Sequence, residues 1–119
     1  MSMNIANVAT ITGSTSAYSS VPTTGATIIN SVPSSHVYKI NSVLACNKTG
    51  TAAWVSLALY RNFTFYTLAY QMSVPANATL VVIGKDAPIY LMDTTSDSLS
   101  ALAGTSSAID IITSYEDLS

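Results

Sequence analysis

Length, composition and charge limit the classes of protein to which this chain can belong. Its 119 residues predict one domain, large enough to bury a core without disulfide bonds. Charged residues make up 8% of the chain, against about 25% in an ordinary globular domain. Hydrophobic residues make up 49%, which is too apolar for a disordered chain. With four Lys and Arg and a net charge of −2, the chain lacks the basic surface that nucleic-acid binding requires.

Membrane insertion, disulfide bonding and secretion are not expected either. The longest apolar run, residues 52–60, is interrupted by Ser56 and is shorter than the roughly 20 residues of a membrane helix. Cys46 is the only cysteine, which excludes an intrachain disulfide, and its apolar neighbours predict a buried hydrophobic side chain. Residues 1–4 show neither the basic nor the apolar region of a secretion signal, so we expect none.

The few charges are unevenly distributed along the chain. No Lys, Arg, Asp or Glu precedes Lys39, so this part must present Ser, Thr, Asn and apolar side chains. Such a surface favours coverage by other subunits, and an unpaired strand edge allows another chain to add a strand. We therefore predict that residues 4–32 form an extended arm that crosses onto an adjacent copy. Residues 1–35 would be the arm and first strands, and residues 36–119 the sandwich core of a single domain.

Alternating apolar and polar side chains, broken by Gly, Pro and Asn, predict a series of short strands. In chain order, strands are expected over residues 4–12, 27–32, 37–46, 54–60, 64–74, 79–83, 89–92, 98–103 and 108–115. A Ser- and Thr-rich loop or arm is expected over residues 13–24, and a tight turn at Asn62. Eight or nine strands with no convincing helix predict an all-β fold, an antiparallel β-sandwich or jelly roll.

Side-chain spacing also predicts which residues share a face of a strand. In the strand over 37–46, one face carries Tyr38, Ile40, Ser42, Leu44 and Cys46, and the other carries Val37, Lys39, Asn41, Val43 and Ala45. In the strand over 64–74, one face carries Thr64, Tyr66, Leu68, Tyr70, Met72 and Val74. The uninterrupted apolar run over 79–83 predicts a strand that is buried on both faces or lies at the centre of a sandwich.

Catalytic chemistry has weak support in this sequence. A serine triad would combine His36, the only histidine, with Ser34 or Ser35 and a distant Asp. Geometry rather than composition defines a triad, and a chain so rich in Ser supplies these residues by chance. A loop histidine is the favoured interpretation. Because no Gly-rich phosphate loop or pair of catalytic carboxylates is present either, we expect no enzyme and no cofactor.

Metal and glycan sites are also weakly indicated. The aspartates that could supply oxygen ligands to calcium are Asp86, Asp93, Asp97 and Asp110. The segment from Asp93 to Asp97 lacks EF-hand spacing, and Asp is an ordinary turn residue, so we expect no metal site. The Asn-x-Ser/Thr sequons begin at Asn47, Asn62 and Asn77. All three fall in predicted turns and support those turns more than glycosylation.

Aromatic residues cluster around one predicted hairpin. They are Tyr60, Phe63, Phe65, Tyr66 and Tyr70, with Trp54 nearby. Because alternate residues of a strand point to one face, Tyr66 and Tyr70 are predicted to share a face. Such a face can be core, a subunit interface or a platform on which sugar rings stack. The candidate interface or ligand residues are Trp54, Tyr60, Tyr66 and Tyr70.

Strand and turn segments from His36 onward carry a family resemblance. They are residues 37–43 followed by Asn47, then 54–61, 68–80, 88–91, 97–99 and 112–119, with 11–15 upstream. These segments resemble small virion proteins of tailed bacteriophages, whose members are often described only as virion structural proteins. One departure is the short turn at 93–97, where a Gly-Asp pair is expected. The resemblance implies a β-sandwich that assembles on the particle and carries no catalytic motif.

The resemblance and the composition lead to one expected function. We expect a virion protein, most concretely a capsid cement or decoration protein that bridges neighbouring subunits. Its expected partners are copies of itself, as a homo-oligomer, and other virion proteins such as the major capsid protein, without nucleic acid or membrane. A neck, tail or baseplate component is the first alternative. A receptor- or carbohydrate-binding module, with Tyr66 and Tyr70 as its platform, is the second.

Overall fold

The computed structural model describes residues 10–119, which form two antiparallel β-sheets packed face to face. The strands are β1 (Ile11–Tyr18), β2 (Ala26–Ile29), β3 (Val37–Asn47), β4 (Ala53–Arg61), β5 (Thr64–Val74), β6 (Thr79–Ile83), β7 (Ile89–Met92), β8 (Ser98–Ala103) and β9 (Ile109–Leu118). The predicted all-β antiparallel sandwich of eight or nine strands is therefore confirmed. Within residues 10–119, no helix is long and apolar enough to cross a membrane.

The strand order is that of a jelly roll. Sheet 1 runs β1-β9-β3-β6, with β7 also paired to β3, and sheet 2 runs β2-β8-β4-β5. The first half of β3 pairs with β7 and its second half with β6, so β6 and β7 occupy one position in the sheet. The chain between them, residues 84–88, turns and ends on Pro88, which has no N–H to continue the ladder. With β6 and β7 counted as one interrupted strand, the two sheets have the eight strands of a jelly roll.

The core lies between the inner faces of the two sheets. Its largest fully buried apolar side chains come from both sheets and are Ile40, Leu57, Leu91, Leu99, Ile109 and Ile111. Full burial of a side chain of this size stabilises the fold by about 1.5–3 kcal/mol. Because the inner faces supply this stability, the outer faces are free to serve contacts with other molecules.

Part of the segment predicted as a loop or arm forms strands within its own chain. Strand β1 pairs with β9 along its whole length, and the Ser16 hydroxyl donates to the Ile28 carbonyl of β2 at 3.1 Å. Further along, Val21 and Val32 are buried in the core. The Ser- and Thr-rich composition suggested a loop, but backbone groups make the ladder and Thr suits an edge strand. The prediction of a loop over 13–24 is therefore wrong for residues 13–18. The predicted crossing onto an adjacent copy stays a prediction, and residues 4–9 lie outside the described residues.

Two predictions about strands of sheet 1 are wrong. One concerns which residues of β3 share a face, and the other concerns the burial of β6. A register shift between Ile40 and Ser42 breaks the alternation of β3, so that Ile40 and Val43 are both buried. An extra residue in one strand of a pair turns the following side chains over, which simple alternation cannot anticipate. Strand β6 has the predicted bounds, but Val81 is 58% exposed rather than buried. The strand lies at the edge of sheet 1, where its outer face is open.

Removal of residues 1–32 should unfold the protein rather than leave a folded core. The truncation deletes two paired strands and four buried side chains, Val21, Ile28, Ile29 and Val32. Each buried Val or Ile contributes about 1.5–3 kcal/mol, which together approaches the whole stability of a small domain. Thermal unfolding followed by circular dichroism should show no cooperative transition. A truncated protein with the melting temperature of the full chain would show that these strands are dispensable.

Candidate functional site

The candidate site lies on the hairpin of β4 and β5, whose turn departs from local preferences. Arg61 pairs with Thr64, leaving Asn62 and Phe63 as a two-residue loop with φ of 50° and 61°. Two-residue hairpin loops with positive φ at both positions are usually Asn-Gly. Asn62 fits this pattern, which confirms the predicted tight turn, but Phe63 stands where Gly is favoured. A residue with a Cβ pays about 1–2 kcal/mol in this conformation.

The turn end of the hairpin is held by one buried carboxylate, Asp97. Arg61 at the end of β4 donates from Nε to Asp97 Oδ1 at 2.8 Å and also from Nη2 to Oδ2, although the two residues are 36 positions apart. The Met92 N–H donates to Oδ2 at 2.8 Å, and the Thr95 hydroxyl donates to Oδ1. The Asp97 side chain is fully buried. Charge-assisted bonds of this kind are what make a buried carboxylate tolerable.

These bonds set the protonation of Asp97. Burial raises the pKa of the Asp97 carboxyl, but the hydrogen bonds from Arg61, Thr95 and Met92 outweigh burial, and the pKa is lowered overall. A carboxyl whose pKa is lower in the folded state stabilises the fold above its unfolded pKa of about 3.9. That stability is lost as pH falls through the lower, folded value.

Substitution of Asp97 tests this anchor. We expect Asp97→Asn to lower the free energy of unfolding at pH 7 by about 3 kcal/mol, the lower end of the cost of breaking a buried ion pair, because Arg61 keeps access to water. As pH falls below about 4, the free energy of unfolding of the variant should decrease less than that of the unchanged protein. Urea unfolding at pH 7 and pH 3 measures both effects.

Asp110→Asn is the matched control, because Asp110 forms a more exposed ion pair with Lys48. An exposed pair contributes about 0–1 kcal/mol, so this change should be the smaller of the two. Equal losses in the two variants would contradict the anchoring role of Asp97.

An irregularity in β5 decides where its aromatic side chains point. Tyr66 lies opposite Leu59, which packs against the core. The register shifts once between Tyr66 and Tyr70, because Ala58 pairs with Thr67 and Leu57 with Ala69, which leaves Leu68 as an extra residue. The Gln71 N–H donates to the Ser56 hydroxyl at 2.8 Å, and Gln71 has a φ of 47°. Because the one extra residue, Leu68, reverses the alternation, Tyr66 faces the core side of sheet 2 and Tyr70 its outer side. The prediction that Tyr66 and Tyr70 share a face is wrong.

The outer face of sheet 2 carries a groove across the strands. Its floor is a row of small side chains, in which Ala58 lies between Ser100 of β8 and Thr67 of β5. Phe65 rises on one side of this row and Tyr70 on the other. The groove has a volume of about 290 Å³, and its lining also includes Thr24, Gly25, Ser56 and Leu102. The groove therefore has no charged side chain in its lining and lies between two aromatic rings.

The other predicted aromatic residues flank this groove. Tyr60 contacts Phe65 with ring centroids 4.5 Å apart. Trp54 lies over Gly104, the residue that follows β8, where a Cβ would come within 2.4 Å of the indole, so this position accepts only glycine without a shift of the ring. Trp54, Tyr60 and Tyr70 are thus on the outer side of sheet 2 and Tyr66 is not. Sequence reasoning did not select Ala58, whose small size makes the groove.

The remaining candidates for chemistry lie elsewhere and have other partners. His36 Nδ1 is 2.7 Å from Asp117 Oδ1, and within residues 10–119 no serine hydroxyl bonds to the ring. Asp93 accepts from the Ser35 N–H at 2.9 Å. The Ser20 N–H and Lys48 lower the pKa of Asp110. Across the described residues, no three His, Cys, Asp or Glu side chains come together as metal ligands.

Comparison with known proteins identifies a similar fold but does not identify a family. No family model matches the sequence, and neither does any curated protein. The chain superposes on a chain of the T13 IBDV viral particle with a TM-score of 0.54 over 93% of its length, at 8% identity. It spans 31% of the length of that chain. A second match, to Bacillus endospore appendages that form disulfide-linked pili, has 20% identity and a TM-score of 0.45 over 92% of this chain and 87% of that one. The first match shows a shared β-sandwich fold.

Proposed function

We propose that this protein is a structural subunit of a tailed-phage virion that makes its contacts through the exposed apolar residues of the β4–β5 hairpin, chiefly those on its outer face. The observation that carries the proposal is the exposed apolar surface of this hairpin. Residues 62–84 contain no charged side chain, and the exposed large hydrophobic residues from Phe63 to Met72 are Phe63, Phe65, Tyr66, Leu68, Tyr70 and Met72. Monomeric proteins rarely expose contiguous apolar patches larger than a few hundred Å².

The position of β5 in the fold supports the same proposal. It is an edge strand of sheet 2 and is 11 residues long. Edge strands that remain solvent-exposed are usually short, charged or interrupted by Pro. Strand β5 is none of these, although its two bulges bend it. A long uncharged edge is suited to a subunit whose edge is covered after assembly.

The most concrete form of the proposal is a cement or decoration protein located in the virion. It would bridge neighbouring copies of the major capsid protein and contact further copies of itself, with no catalytic step. Burying about 400 Å² of apolar surface contributes on the order of 10 kcal/mol before the cost of association is subtracted. Repetition over a shell makes a modest contact collectively strong. The fold shared with a viral-particle chain is compatible with this role.

Two other functions remain as alternatives. A neck, tail or baseplate component would use the same fold in few copies. A receptor- or carbohydrate-binding module is favoured by one feature, the groove between Phe65 and Tyr70 with Ser and Thr hydroxyls on its floor. Loss of glycan binding by isolated protein after Tyr70→Ala would identify that function.

The cement role predicts a change in particle stability. Heads that lack the protein should rupture at a lower temperature or lower guanidinium concentration than complete heads, and added protein should restore them. The double variant Phe65→Ser with Tyr70→Ser should restore them poorly, because it removes two exposed rings from the contact surface. Differential scanning calorimetry of purified heads measures the effect.

The matched control is Tyr90→Ser, which removes an exposed tyrosine from β7 in the other sheet. This variant should restore the heads as well as the unchanged protein does. Heads that bind the protein at high occupancy and rupture at the same temperature would contradict the cement role.

A further inference from the structure

The most exposed aromatic residue of residues 10–119 occupies a turn position that favours glycine. Phe63 is 93% exposed and has a φ of 61°. Both features oppose the local rules, because Gly is the favoured residue in this turn and a fully hydrated aromatic ring contributes nothing to folding. Residues that break local rules without a structural benefit tend to mark functional sites. Phe63 therefore needs a partner outside its own fold.

The groove on the outer face of sheet 2 has the size and chemistry for a phenyl ring. A cavity of about 150 Å³ lined by apolar side chains binds benzene, and this groove measures about 290 Å³. Its walls, Phe65 and Tyr70, allow the offset or edge-to-face contacts that aromatic rings prefer. Phe63 does not fill this groove in its own chain, because its ring is almost wholly exposed.

We propose that Phe63 of one copy inserts into the groove of a second copy, between Phe65 and Tyr70. The proposal rests on the proposed assembly function and names its contact. A second copy fits because every chain presents both the ring and the groove. The groove lining has no charged side chain, and Arg61, the charged residue nearest to Phe63 in sequence, is already paired with Asp97, so this contact buries no unpaired charge from either. The ring and the groove are different surfaces, so the contact repeats from copy to copy unless a reciprocal pair closes it.

Sedimentation velocity of the purified full chain over a range of concentrations tests the contact. The unchanged protein should associate, whereas Phe63→Gly and Ala58→Phe should each raise the dissociation constant at least about tenfold. Phe63→Gly removes the inserting ring, and Ala58→Phe fills the groove with the phenyl ring of the new side chain. Phe63→Gly should also raise the melting temperature, because Gly relaxes the turn. Its loss of association then cannot come from unfolding. Tyr90→Ala, on the other sheet, should associate normally.

Mixing the two variants gives the most specific result. Phe63→Gly keeps its groove and Ala58→Phe keeps its ring, so the mixture should form a heterodimer that neither variant forms alone. A mixture that stays monomeric, or a Phe63→Gly variant that associates normally, would overturn the contact.

Incorporation into particles, measured separately, distinguishes the two proposals. A chain that is monomeric in isolation but present in virions overturns the self-contact and leaves the structural role standing. A chain that is absent from virions and whose groove binds glycans overturns both.

Discussion

The bonds from Arg61 to Asp97 are the constraint on which the geometry of the exposed hairpin depends. They attach the end of β4 to the turn before β8, through a carboxylate that is fully buried. A carboxylate in that position is stable only when donors surround it, and Arg61, Met92 and Thr95 supply them. With its turn end fixed in this way, the hairpin holds Phe63 outward in a conformation that the turn alone would not favour.

The jelly roll separates the source of stability from the surface of contact. The inner faces of both sheets form the core, and the outer face of sheet 2 is left with small and aromatic side chains. Residues 62–84, which include all of β5, contain no charge. A domain of this kind has a core of its own, and it also exposes apolar side chains that burial against another molecule would remove from water. That combination is what a subunit of a larger assembly requires.

Local pattern was enough to predict much of the fold. The bounds of β5 to β8 follow from alternation between turn residues and match the structure. Long-range features could not be predicted in this way. The bulge that puts Tyr66 and Tyr70 on opposite faces depends on pairing with β4, and the Arg61–Asp97 pair joins distant positions. One signal was nevertheless visible in the sequence: Asn62 is followed by Phe where a two-residue turn favours Gly.

The copy number of the protein in purified virions, relative to the major capsid protein, is the most direct measurement of the structural role. Quantitative mass spectrometry of intact particles provides it. A shell-wide cement protein should be present at a ratio near one or at a simple fraction of it. A few copies per particle would place the protein in the neck or tail. Complete absence from particles would contradict a structural role in the virion.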